Sequence, residues 1–168
     1  MKEIAAKNIV DNPVELIGVK WMLVTAGTES SNNLMTASWG GLGFMWNKPV
    51  AFVVVRPNRY THEFVEQQEK FTLSFLPEQH RSALKICGSH SGRDGNKWEL
   101  SGLTPWVTDS GTVAVQEADL VIECRKMYKA PLDAAAFIDQ DALSKWYAPD
   151  NPLHDLYIAE ITHVWVQD

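Results

Sequence analysis

A series of short extended runs separated by turns too short for a crossover constrains this chain most. Val19 to Ala26, Leu34 to Trp39, Val50 to Arg56, Phe71 to Leu76, Thr112 to Val115, Leu120 to Tyr128 and Leu156 to Val166 all read as strands. The link GTESSNN signals a hairpin, Gly40, Gly41 and Gly43 break the chain, Asn47, Lys48 and Pro49 turn it into the next run, and several links are too short for a crossover, so an antiparallel arrangement is expected. Val50 to Arg56 is β-branched and apolar throughout, which predicts burial on both faces at the centre of the sheet. In the later run, Leu120, Ile122 and Cys124 alternate with Val121, Glu123 and Arg125 as a half-buried strand. Helical signals are few. Thr61 is placed to cap a short helix with Phe64, Val65 and Gln68 on one side, and Gln79 to Cys87 reads as a helix stopped by Gly88. Ser89 to Trp98 is polar and aperiodic, hence a surface loop, while Leu132 to Tyr147 mixes helical and extended signals. The expected class is mainly β with short helices, an antiparallel barrel whose closure removes exposed edges. With 168 residues, 45% of them hydrophobic, one domain over 1–168 suffices to build a core.

Charge and motifs remove several function classes. Fifteen Lys and Arg stand against 21 Asp and Glu, a net charge of −6, so no basic field awaits a nucleic-acid backbone. The longest apolar run, PVAFVVV, is far below the ~20 residues of a membrane helix, and no membrane partner is expected. The opening MKEIAAKNIVDNP lacks an apolar signal core, which predicts a cytoplasmic location. Cys87 and Cys124 form no CxxC and read as buried thiols. HEFVE stops short of the zinc-binding HExxH and reads as a solvated helix face, so no metal site is expected. Neither a P-loop nor a nucleophile elbow is present, and GGLGFMW lacks the third glycine of a dinucleotide fingerprint.

What remains is chemistry suited to an anion and a flat ring. In VVVRPNRYTHEF, Arg56 and Arg59 flank the rigid Pro57, and the following helix start exposes unpaired N–H groups at the positive end of its dipole. A phosphate cradle and two surface arginines pairing with Glu63 and Glu66 are about equally good readings of that turn. Ser89, Ser91, Gly92, Arg93 and Lys97 add hydroxyls, mobile backbone and two cations in one loop. MTASWGG ends a strand in small residues beside Trp39, where a flat ligand could approach the backbone, although taken alone it reads better as a glycine-rich bend with a core tryptophan.

Together, NNLMTASWGG, VVVRPNRYTHEFVE followed by FTLSFL, GSHSGRDGNKWELSGL and HDLYIAEITHVWV resemble the flavin reductase-like proteins with an FMN-binding split barrel, from about Gly18 to Val166. The resemblance implies a six-stranded antiparallel Greek-key split barrel, a homodimer, and FMN near the dimer interface. It implies that Thr36, Ala37, Ser38 and Trp39 line the flavin ring and ribityl chain. Arg56, Arg59, Tyr60 and Thr61 would take the phosphate, joined by Ser91, Gly92, Arg93 and Lys97. It implies no catalytic acid, base or nucleophile, because hydride passes between nicotinamide and flavin and the protein supplies position and polarity. NAD(P)H is then a transient co-substrate and an electron-acceptor protein a further partner. The implied activity is an NAD(P)H:flavin oxidoreductase. The alternatives are a flavoredoxin-like electron-transfer protein with tightly held FMN, and a flavin-binding module without turnover. His154, just before the last strand, is a candidate to reach a flavin edge or substrate, with a surface histidine as the plainer reading. Among seven tryptophans, Trp46, Trp146 and Trp165 lie near turns or chain ends and are expected at a dimer interface, the alternative being that they fill the core.

Overall fold

The computed structural model describes residues 1–147, 149 and 151–167. Its strands are β1 (Lys2–Ile4), β2 (Met22–Thr28), β3 (Ser31–Ala37), β4 (Gly40–Met45), β5 (Lys48–Val55), β6 (Lys70–Phe75), β7 (Pro105–Val107), β8 (Val113–Val115), β9 (Leu120–Pro131) and β10 (Asp155–Val166). The helices are α1 (Pro13–Glu15), α2 (Tyr60–Gln67), α3 (Arg81–Ser89), α4 (Lys97–Ser101) and α5 (Gln140–Trp146). The main sheet runs β3-β2-β6-β9-β10-β5-β4, with β1 added to β10, and all its pairings are antiparallel. Mainly β with short helices is therefore correct, with eight strands in the sheet where the resemblance implies six.

One core joins the two ends of this path. Met22, Val24 and Ala26 of β2 share it with Phe71, Leu73 and Phe75 of β6, Leu120, Ile122 and Cys124 of β9, and Ala51, Val53 and Val55 of β5. A flat sheet would hold β2 and β5 four strand spacings apart, so the sheet must curl, and each large side chain buried inside contributes roughly 1.5–3 kcal/mol. The curl leaves a gap. β3 and β4 stand at opposite ends of the strand order, and only the short link Ser38–Trp39 crosses from one to the other. Gly40, at φ 146°, makes that crossing possible, since a Cβ there would lie 2.3 Å from the Phe52 carbonyl oxygen.

Several expectations change because distant segments intervene. Val121 and Glu123 are as buried as Leu120 and Ile122, because the β7–β8 hairpin and Trp165 cover the outer face of β9. Trp165 therefore belongs to an internal cluster with Trp106, while Trp46 and Trp146 are exposed. β5 lies next to the end of the strand order rather than at its centre, and Phe52 and Val54 on its outer side are only half-buried. Val19 and Lys20 leave the predicted strand for a wide helical turn, Leu16–Lys20, that follows α1. Gly88 lies within α3 rather than past its end, and Lys97 and Trp98 begin α4 where a loop is expected. Thr61 sits inside the first turn of α2, which Arg59 precedes without offering a side-chain cap. In HEFVE the face is engaged: His62 Nε2 lies 2.7 Å from Asp155 Oδ2, and Tyr157 donates to Glu66 at 2.6 Å. Both cysteines are free and buried, and burial pushes each thiol up from its ordinary value. No helix among the described residues is long and apolar enough to cross a membrane.

Candidate functional site

The gap in the barrel opens onto a cavity of about 280 Å³ lined by Thr36, Ala37, Ser38 and Trp39 from the crossing, Arg56 and Arg59 from the turn after β5, and His154. Residues predicted in separate segments thus meet in one place. The turn is built locally: Arg59 N–H donates to the Arg56 carbonyl at 3.0 Å, and Pro57 fixes the backbone between them. Neither guanidinium meets a carboxylate among the described residues. Arg56 donates to the Trp146 carbonyl at 3.0 Å and to His154 Nε2 at 3.4 Å, and Arg59 donates to the Gly88 carbonyl at 3.3 Å. Glu63 instead pairs with Arg93, and Glu66 with Lys129, so the carboxylates expected to neutralise the turn are occupied elsewhere. The uncapped start of α2 adds the positive end of its dipole to the same spot.

His154 is buried, at 8% exposure, which overturns the surface reading. A guanidinium has no acceptor, so Nε2 must be the unprotonated nitrogen and Nδ1 carries the hydrogen, 2.7 Å from the Tyr147 hydroxyl. Burial, followed by the charges of Arg56 and Arg59, pushes the imidazole down to about 4. Its ring also lies 5.2 Å from that of Trp39, which in turn meets Trp146 edge-on at 5.1 Å. Both Trp146 and Tyr147 belong to the segment of mixed signals: Trp146, expected at a dimer interface, packs here against Trp39 instead, and Tyr147 is a residue that sequence reasoning did not single out. No local motif marks them, because their role follows from where α5 lands on the barrel.

The third predicted cluster lies one step away. Tyr60, Gly92 and Lys97 line a neighbouring cleft of about 810 Å³. Gly92 packs so closely that a Cβ would stand 2.2 Å from Asn33 Oδ1. Arg93 lies over the Tyr60 ring with its guanidinium carbon 4.8 Å from the centroid, while Ser91 accepts from the Arg93 N–H. Lys97 is turned inward: its ammonium donates to the carbonyls of Leu34 and Cys87 at 2.9 and 2.7 Å, and burial lowers its pKa. Thr61 is buried as well, its hydroxyl accepting from Asn33 at 2.9 Å. Arg56, Arg59 and the crossing therefore face the cavity, whereas Lys97, Arg93 and Thr61 hold the walls together.

The same architecture recurs in known proteins. An FMN-binding protein from Thermus thermophilus is 21% identical and superposes with a TM-score of 0.69 over 100% of this chain and 83% of that one. Flavoredoxin from Methanosarcina acetivorans is 19% identical, with a TM-score of 0.70 over 100% and 77%. Nitrilotriacetate monooxygenase component B from Bacillus cereus is 20% identical, with a TM-score of 0.69 over 100% and 82%. No curated protein matches the chain by sequence. A family model described as the flavin reductase like domain matches residues 16–168, which span both the crossing and the arginine turn, and the chain therefore belongs to the flavin reductase-like family.

Proposed function

We propose that this protein binds FMN in the cavity at the barrel gap and reduces it with NAD(P)H. The observation that carries the reading is the pair of carboxylate-free guanidiniums beside an uncapped helix start, at one end of a cavity whose other wall is the Ser38–Trp39 crossing. Two cations and a helix dipole suit a phosphate, and the small residues Ala37 and Ser38 let a planar ring approach the backbone. Bound FMN would supply the hydride-accepting chemistry. The chain's own residues have a simpler task. Arg56 and Arg59 bind the anionic end, Trp39 and the half-buried crossing orient the ring, and Trp146 with Tyr147 shields that side from water. Thr61 and Lys97 support this by fixing β3 to α2 and α4. The homodimer that the family resemblance implies would form over the half-buried outer face of β5, where Trp46 and Tyr128 are exposed.

Titrating the protein with FMN should quench tryptophan fluorescence saturably, and riboflavin should bind at least ~10-fold more weakly, because charge-assisted hydrogen bonds to the phosphate are worth roughly 1.5–3 kcal/mol each. Equal affinities would remove the phosphate assignment. Anaerobic mixing with NADH or NADPH should bleach the flavin band. Bleaching by a small reductant but by neither nucleotide would favour the flavoredoxin-like alternative.

A further inference from the structure

His154 is held in a state that an anion in the cavity would undo. Its Nε2 accepts from Arg56 and its Nδ1–H points at the Tyr147 hydroxyl, so the free protein needs the imidazole uncharged. The groups facing it can be named from every side: Arg56 at the end of β5, Arg59 in the turn before α2, Tyr147 after α5, and the Trp39 ring from the crossing. Asp155, next on β10, is held by His62 and Lys129 on the α2 side. The charges that reach the imidazole across the cavity are thus cations, among the described residues, and they are the ones assigned above to the anionic end of the ligand.

We propose that His154 is the proton-uptake site of this cavity: an anion that engages Arg56 draws the guanidinium off Nε2, and the freed nitrogen takes a proton from solvent. The inference rests on the FMN reading and deepens it. Neutralising Arg56 and Arg59 removes the repulsion that keeps the ring uncharged, and the protonated ring can itself donate to the anion from Nε2. Ligand binding and proton binding then favour each other, as any two linked equilibria must.

Calorimetric titration of the whole protein with FMN at pH 6, in buffers of different ionisation enthalpy, counts the protons exchanged. The ligand's own phosphate contributes to both proteins, so the informative quantity is the difference between wild type and His154→Gln. Wild type should take up more, by up to about one proton per site. Equal counts overturn the proposal. A second measurement needs no variant: in wild-type protein with ¹⁵N-labelled histidine, His154 Nε2 should be unprotonated without FMN and protonated with it, and a nitrogen that stays unprotonated in the complex overturns the proposal. Absence of any FMN binding by heat or fluorescence would instead overturn the functional reading itself, and this inference with it.

Discussion

Glu123 shows how a single side chain can stake stability on its partners. It is fully buried, and burial alone would raise its pKa. Hydrogen bonds from Ser110, Lys70 and Thr162 outweigh that and hold it below its ordinary value of 4.5. Lys70 donates at 3.0 Å and Thr162 at 3.0 Å, while Thr108 adds a bond at 3.1 Å from the β7–β8 hairpin. Because the folded state favours the charged form, the stabilisation is complete above pH 4.5 and drains away as pH falls through the lower folded value. Glu123→Gln should cost about 1–3 kcal/mol in denaturant unfolding near neutral pH, since the partly exposed Lys70 ammonium loses its counter-charge and an amide nitrogen replaces the oxygen that accepts from Ser110 and Thr108. It should also abolish that acid-side increment. The sequence presents Glu123 as the polar side of a half-buried strand; nothing local reveals that a hairpin closes over it. His154 responds in the opposite region of the scale. Its folded value, about 4, lies below the unfolded 6.5, so stability should fall as pH drops from 6.5 towards 4. His154→Gln should flatten that slope in pH-dependent melts.

Among the elements, the β4–β5 hairpin is the least comfortable. Its two turn residues, Trp46 and Asn47, both have positive φ, at 52° and 59°, as a two-residue turn between right-twisted strands requires. Asn tolerates this, whereas a bulky side chain pays about 1–2 kcal/mol. Trp46→Gly should therefore leave the melting temperature unchanged or raise it; a clear fall would show that the indole, which lies 6.4 Å from Tyr128, contributes packing that outweighs its strain. Trp21 is the third non-glycine residue with positive φ among the described residues, at 68°. Arg81 lies over its ring at 3.5 Å and donates to the carbonyls of Val19 and Lys20 at 2.8 and 2.7 Å. This distant side chain holds Val19 and Lys20 outside the strand that the run Val19 to Ala26 predicts. α3 runs one residue past Gly88, where the glycine lies against Thr36 and a Cβ would stand 3.4 Å from that side chain.

For the whole molecule, the unanswered surface is the outer side of β4, β5 and β10. Phe52 lies there over the glycine row of β4, with Trp46 and Tyr128 exposed beside it. Exposed aromatic surface of this kind is enriched where proteins meet. A homodimer formed on this face should dissociate in Tyr128→Lys, read by light scattering, while the melting temperature of the dilute monomer stays within a few degrees. A wild type that is monomeric at working concentration would remove the dimer from the account. If the partner also shields the cavity, Tyr128→Lys should weaken FMN as well, although Tyr128 itself does not line that cavity.

Strands whose residues alternate or branch at Cβ, the first hairpin and the arginine turn were legible in the sequence, because each follows from chemistry within a few neighbouring positions, whereas β4 was not, its glycines reading as a break in the chain until β5 pairs with them. The sequence also held enough pattern, distributed from about Gly18 to Val166, to suggest the family. Tertiary structure decided the rest. Arg56 and Arg59 became free for an anion only because Arg93 and Lys129, brought in from later segments, took Glu63 and Glu66. Lys97 became a wall support because the fold placed two backbone carbonyls around its ammonium. His154 acquired its neutral, bonded state from a residue 98 positions earlier and another 7 positions before it. Such partners are separated along the chain and joined only by the curl of the sheet, and a sequence read by local periodicity carries no term for that distance.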